Sequence, residues 1–326
     1  MRVLYVTNMW PDDKRPWYGS FVYSQARSLE MLGIELDVLS IRGYLSNWEY
    51  LRGAIRALGR NGQVYDVVHA HYGQSAIVAR LNLRTPLVVS YCGDDLLGTS
   101  DPAHPARKTL RSTALAGAFA QVAWVASATI TKSEEMERRL PRARRARNHV
   151  IPNGVDLDFF APIDRQEARQ RLGWDPDEKA ALFVGNPALP TKNHALAEAA
   201  CALAAQQCAQ VRLRVAWAIA PEDIPVWMSA ADALVFPSWS EGSPNAVKEA
   251  MACELPVVAT PVGDVPERLL GIPGCYVVPP DERRFADALL KALHHGRCPA
   301  ARTAVGELSL MHVAKRVRHV YESVAT

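Results

Sequence analysis

The chain has 326 residues, 49% of them hydrophobic and 22% charged, a balance that supports packed cores and excludes a disordered chain. That length exceeds what one hydrophobic core spans, so two domains are expected. The formal net charge of +3 is too near neutral to point to nucleic acid, and no apolar stretch reaches the ~20 residues of a membrane span.

The N-terminus enters a strand pattern at residues 2–7 with no signal-peptide pattern before it. Cys92, Cys201, Cys208, Cys253, Cys275 and Cys298 form no CxxC pair and no zinc spacing. They read as free thiols of a cytoplasmic, reducing compartment.

Short apolar runs alternate with helical periodicity, the pattern of parallel sheets covered by helices. In chain order, the first half predicts strand 3–7, helix 20–32 ended by Gly33, strand 35–40, helix 48–58, strand 67–71, helix 73–80 and strand 87–91. Helix 106–118, strand 124–129, helix 132–140 and strand 149–151 complete it. Pro152-Asn153-Gly154 is a turn signal, and the second half opens behind it. It predicts helix 164–172, strand 180–184, helix 194–207, strand 211–218, helix 224–230, strand 233–237 and helix 244–252. Strands 256–259 and 275–278 follow, then helices 282–294 and 308–324. The expected division is 1–157, 158–307 and a C-terminal helix, 308–326, packing back on the first domain.

The most informative stretch is Glu241-Gly242-Ser243-Pro244-Asn245-Ala246-Val247-Lys248-Glu249. It follows a strand and opens a helix, with Ser243 suited to the N-cap and Pro244 to the first helical position. The amides of Asn245 and Ala246 would then point from the carboxyl edge of a parallel sheet, where phosphates and sugar oxygens bind. Glu249 lies six residues past the cap, ~9 Å along the axis. Two acids so placed can hold the two hydroxyl-bearing parts of a sugar nucleotide, the hexose and the ribose. From spacing alone, a capped surface helix with two solvated glutamates is the alternative.

The Glu-x7-Glu pair, followed by Leu255-Pro256-Val257-Val258-Ala259-Thr260 and Val262-Gly263-Asp264, resembles retaining glycosyltransferase family 4. Ile151-Pro152-Asn153-Gly154-Val155-Asp156 resembles that family's interdomain motif. The form EGSPNAVKEAMACELPVV is most similar to the teichuronic-acid-type branch. The resemblance implies the GT-B fold: two Rossmann-like α/β domains with parallel sheets facing across a cleft that closes over the donor. It also implies that Glu241 contacts the donor hexose, Glu249 the ribose and Lys192 the diphosphate. His71, at a strand's carboxyl end, matches the family's sugar-contacting histidine, leaving His69 as a packed one. Gly19-Ser20 resembles its short glycine loop. Gly93-Asp94-Asp95 resembles its Gly-x-Asp, which puts Asp94 or Asp95 at the acceptor unless the pair only caps the next segment.

Two departures stand out. Where the family reads Gly-Arg after the strand ending at 184, this chain has Gly185-Asn186, so one phosphate cation is missing. His194, or Arg15 from the first half, is a candidate replacement. The chain is also short between 219 and 226, which predicts a reduced sheet in the second domain.

The implied reaction moves a hexosyl group from a nucleoside diphosphate sugar, UDP being the expected carrier, to an acceptor hydroxyl with retention of configuration. The acceptor is a small molecule or a lipid-linked glycan. No residue presents itself as a dedicated base or covalent nucleophile, and no metal or other cofactor is expected. A sugar-nucleotide epimerase and a non-catalytic nucleotide-sugar binder are the rivals. Arg138, Arg139, Arg142, Arg144, Arg145 and Arg147 form a basic run. It reads either as a solvated helix end or as a peripheral contact with an anionic membrane. The oligomeric state is not legible.

Overall fold

The computed structural model describes residues 1–15, 18–60, 64–82, 84–101 and 103–325. Pro16 and Trp17, within the loop after the first strand, lie outside the described residues. In chain order the elements are β1 (Arg2–Thr7), α1 (Ser20–Glu30), β2 (Glu35–Ser40), α2 (Trp48–Leu58), β3 (Val67–His71), α3 (Gly73–Ala79) and β4 (Leu87–Ser90). Then come α4 (Asp94–Leu97), α5 (Leu110–Ala120), β5 (Ala128–Thr131), α6 (Glu134–Glu137) and β6 (Asn148–Val150). The rest is α7 (Arg165–Leu172), β7 (Lys179–Val184), α8 (His194–Gln207), β8 (Val211–Ala216), α9 (Ile224–Ala230), β9 (Ala233–Phe236), α10 (Asn245–Ala252), β10 (Val257–Ala259), α11 (Val265–Leu269), β11 (Tyr276–Val277), α12 (Glu282–His295), α13 (Pro299–Val305) and α14 (Leu310–Val324).

The chain forms two compact units: residues 1–99, 109–154 and 310–326, and residues 100–108 with 155–309. The first contains a six-stranded sheet, ordered β2-β1-β3-β4-β5-β6, and the second a five-stranded one, ordered β11-β10-β9-β7-β8. Every pairing in both is parallel. The central strands are mostly apolar because helices cover both faces: Val67, Val88, Leu182 and Leu234 are fully buried, and the polar exceptions His69, His71 and Ser90 are buried with them. The second sheet is the smaller, as the short 219–226 connection requires.

The strand order fixes where a ligand can sit. In the first sheet the chain adds β2 on one side of β1 and then β3 on the other. In the second it adds β8 on one side of β7 and then β9 on the other. At each reversal the loops leaving the two neighbouring strands diverge and open a crevice at the carboxyl edge.

Several elements differ from the sequence reading. Trp124, where the strand expected over 124–129 would begin, ends a 3-10 turn over 121–124, and the strand proper is β5. The helix expected over 132–140 shrinks to α6 because Ser133 caps it, its Oγ accepting from Met136 N at 3.3 Å, and Pro141 follows closely. Helices α4, α11 and α13 have no counterpart in the sequence reading.

Candidate active site

In the second unit the loops after β7 and β9 hold the candidate residues. After β9 the chain runs Pro237-Ser238-Trp239-Ser240-Glu241 before α10. After β7 it passes Gly185 and Asn186 to the 3-10 turn Pro190–Lys192. The two loops are stitched together. Trp239 N donates to Thr191 O at 2.8 Å, and Asn193 Nδ2 donates to Pro237 O at 3.1 Å. That stitching sets Lys192 against Glu241, with Nζ 2.7 Å from Oε1. Lys192 packs over Gly185, where an added Cβ would stand in ordinary contact, 3.7 Å from Lys192 Cδ, and it is the φ of +134° that disfavours a side chain there. Thus the switch point of the second sheet carries a lysine and a glutamate within reach of one another.

A buried polar network braces the glutamate loop from below. The Ser243 hydroxyl donates to Asp264 Oδ2 at 2.9 Å and accepts from Lys248 Nζ at 2.8 Å. All three side chains are nearly inaccessible. This corrects the expected helix start: Pro244, not Ser243, is the N-cap, and Asn245 is the first helical residue. Ser243 makes no cap bond because its hydroxyl is committed to the network. Burial raises the Asp264 pKa, opposed chiefly by the nearby Lys248 charge. Gly263 presses on the same loop, where a Cβ would meet Gly242 O at 2.5 Å and Glu241 O at 2.9 Å.

Gly242 and Pro244 are buried, and Asn245 and Ala246 half-buried, at the first turn of α10. Glu249 lies about one turn on, half-buried, its carboxyl pushed up to about 7 by burial and only partly restrained by Lys248. Asn186 turns its Oδ1 to Ala188 N at 2.9 Å and so shapes its own loop. His194 faces Glu198 at 3.4 Å and packs edge-on to Phe183.

A further cation stands beside this loop. Residues 100–108, though early in the sequence, belong to the second unit. Lys108 Nζ donates to Ser240 Oγ at 2.6 Å, next to Glu241.

In the first unit, the switch point between β1 and β3 collects the other candidates. Gly19 has φ +71° and caps α1 against the chain after β1, where a Cβ would strike Met9 C and O at 2.4 Å. Ser20 is exposed at the start of α1. His71 ends β3 and is 1% exposed. Its Nε2 donates to Gln25 Oε1 at 3.0 Å, while Nδ1 is without a hydrogen-bond partner. Burial, then the neighbouring His69 and Lys132, hold its pKa well below the usual histidine value, so the ring is neutral at pH 7. His69 is a packed residue between Tyr321 and Ser90. Asp95 is turned inward: Cys92 N, Gly93 N and Gly73 N donate to it at 2.9–3.0 Å. It ties the loop after β4 to α3, and only Asp94 of the pair is exposed. Arg15 pairs with Asp12 and lies against the rings of Tyr18 and Tyr44.

Two arginines of the basic run also turn inward. Arg144 donates to Ala123 O and Ala126 O, and Arg145 to Leu140 O and Arg138 O. They satisfy carbonyls at the ends of short helical turns, which removes them from any surface patch.

Residues 3–154 match the family described as glycosyl transferase 4-like domain, and residues 180–295 the family described as glycosyl transferases group 1. A D-inositol 3-phosphate glycosyltransferase of Catenulispora acidiphila is 30% identical over 82% of this chain and 71% of its own length. This chain belongs to glycosyltransferase family 4. A teichuronic acid biosynthesis glycosyltransferase of Bacillus subtilis, TuaC, is 22% identical, with 90% of each chain covered. Anabaena HepE, solved with UDP-glucose, superposes with a TM-score of 0.67 at 18% identity over 99% of this chain and 100% of its own. The two parallel-sheet units are those of a GT-B glycosyltransferase.

Beside this family 4 framework, three lysines escaped the sequence reading. Lys248 was read only as part of a motif string, though a lysine one residue before Glu249 on the inward side of α10 is a cue for a buried ion partner. Lys108 gave no signal, because its contact spans 132 residues. Lys132, 1% exposed just after β5, stands where the sequence pattern predicts the start of a helix.

Proposed function

We propose that this glycosyltransferase transfers a hexosyl group from a UDP-sugar to an acceptor hydroxyl with retention of configuration. The observation that carries the reading is the Lys192–Glu241 pair at the switch point of the second sheet, at the foot of α10. Within that reading Lys192 meets the charge that builds on the departing diphosphate, worth about 3–4 kcal/mol in comparable sites. The first-turn amides of α10 supply the second positive end. Glu241, released from Lys192 by the diphosphate, accepts from a hexose hydroxyl and orients the reacting carbon. Glu249 accepts from the ribose hydroxyls. His71, neutral and with a buried Nδ1 that has no hydrogen-bond partner, accepts a further sugar hydroxyl.

Asn186 cannot replace the family's arginine as a charge, and Arg15 and His194 are engaged elsewhere in their own units. Lys108, held 2.6 Å from Ser240, is the residue we assign to that second cationic place. The acceptor proton leaves with the diphosphate oxygen. The acceptor is a small molecule or a lipid-linked glycan, and no metal is required. HepE, with UDP-glucose bound, supports the choice of donor.

The test is incubation with UDP-glucose and UDP-GlcNAc, with and without an acceptor panel, following UDP release and the anomeric proton by NMR. UDP release that depends on acceptor, with an α-linked product, is expected. Accumulation of an isomeric sugar nucleotide without acceptor means epimerisation instead. Chelation with EDTA is expected to leave the rate unchanged.

A further inference from the structure

Helix α2, over Trp48–Leu58, is amphipathic with its sides exchanged. The residues facing inward are Glu49, Gly53 and Ala57. Those facing solvent are Trp48, Leu51, Ile55 and Leu58, exposed by 71%, 52%, 63% and 51%. They recur at intervals of three and four, one apolar stripe along the helix. Gly53 makes the inverted packing possible, since a Cβ there would stand 3.0 Å from Ile41 Cγ1. Tyr44 and Leu45, in the turn before the helix, extend the stripe and are 43% and 61% exposed. A contiguous apolar patch of this kind on the surface is costly unless something covers it.

Its flanks carry cations. Arg42, Arg52 and Arg56 are exposed and line, with Tyr44, Leu45 and Ile55, a hollow of about 760 Å³ beside the helix, whose lining also holds the carboxylates Asp12 and Glu49. Arg56 also donates to Ser40 O, and Arg52 pairs with Glu49, yet the Arg52 side chain stays 73% exposed. An aromatic-led apolar stripe bordered by arginines is the surface that lies in the headgroup layer of an anionic bilayer. A second copy of the chain fits it poorly. In a two-fold interface the same patch faces itself, which sets the three arginines against their own duplicates.

We propose that α2 and the turn before it form a peripheral docking surface for an anionic lipid bilayer, with Trp48, Leu51, Ile55 and Leu58 entering the acyl boundary and Arg42, Arg52 and Arg56 meeting the phosphates. No helix among the described residues is long and apolar enough to cross a membrane, so contact through this face is interfacial. The proposal does not depend on the reaction assigned to the sugar-nucleotide site.

The test is co-sedimentation of the full chain with phosphatidylcholine vesicles and with vesicles half phosphatidylglycerol. Binding to the anionic vesicles that weakens with added salt is expected. The double variant Leu51→Glu/Ile55→Glu lowers it about tenfold or more, and Arg52→Gln/Arg56→Gln flattens its salt dependence. Circular dichroism melting confirms that each variant is folded. The surface substitutions should also leave UDP-sugar binding unchanged, which separates failure of docking from failure of the donor site. Absence of binding by the parent, or equal binding by the Leu51→Glu/Ile55→Glu variant, overturns the proposal. So does a parent that dimerises through this face, shown by light scattering as a dimer that the variant abolishes without any vesicle binding.

Discussion

Lys192 and Glu241, 49 residues apart, meet at 2.7 Å with both side chains still in touch with solvent, 28% and 19% exposed. A pair so placed contributes about 0–1 kcal/mol to stability, so the fold does not depend on it. Lys192→Ala and Glu241→Gln should therefore melt close to the parent while each loses about 10²-fold in turnover. Melting curves and initial rates on the same preparations check this. A large drop in melting temperature with unchanged rate per folded molecule would make the pair a structural strut.

Glu249 should give the site a pH dependence. Burial raises its carboxyl to about 7 from 4.5, so between those values the folded chain holds a proton that the unfolded chain has released. This group's contribution to stability then falls as pH rises from about 4.5 to about 7 and is level above. Donor binding runs the opposite way, because the ionised carboxylate is the better acceptor for ribose hydroxyls. Affinity for the donor should rise through about pH 7 in the parent and stay flat in Glu249→Gln. Calorimetric titrations across that range decide it, and parallel profiles would remove Glu249 from the ribose.

How much of this was legible follows from the range of the contacts. The parallel sheets were, because a strand buried on both faces is almost wholly apolar, as in Ala233–Phe236, and in Val67–His71 only the two histidines break the run. The distance of Glu249 from the helix start was too, since α10 alone fixes it. Ser243 was misread as a cap because its partners differ in kind: Lys248 is local, but Asp264 is 21 residues away. Asp94 and Asp95 look alike in sequence, yet three backbone amides from two loops claim only Asp95. Which arginines of the 138–147 run face water depended on the carbonyls of residues 123 and 126, which local pattern does not reveal.

Gly263 offers a test of the loop that carries Glu241. Gly263→Ala places a Cβ 2.5 Å from Gly242 O at a φ of +57°. The strain is about 1–3 kcal/mol, and the Glu241 backbone must move to relieve it. Gly271→Ala is the control, with φ +72° and nothing within 4 Å of the added carbon. Both should be less stable than the parent, but only Gly263→Ala should lose turnover in proportion well beyond its folded fraction.

Lys108 is expected to act through Ser240 and the charge beside it. Lys108→Ala removes a charge-assisted bond worth about 1.5–3 kcal/mol, and kcat/KM should fall about tenfold or more. Lys108→Arg should recover part of the loss if positive charge is what matters. A variant with the parent's kinetics would leave Lys192 and the α10 amides as the whole cationic side of the site.

The most direct test of the account is a thermal-shift panel of UDP-, GDP- and ADP-sugars on the parent, Lys192→Ala and Glu249→Ala. A donor at a hundred times its dissociation constant adds ~2.7 kcal/mol. One family of sugar nucleotides should stabilise the parent by that order and both variants markedly less. Equal stabilisation of all three proteins, or none by any sugar nucleotide, would contradict the placement of the donor between β7, β9 and α10.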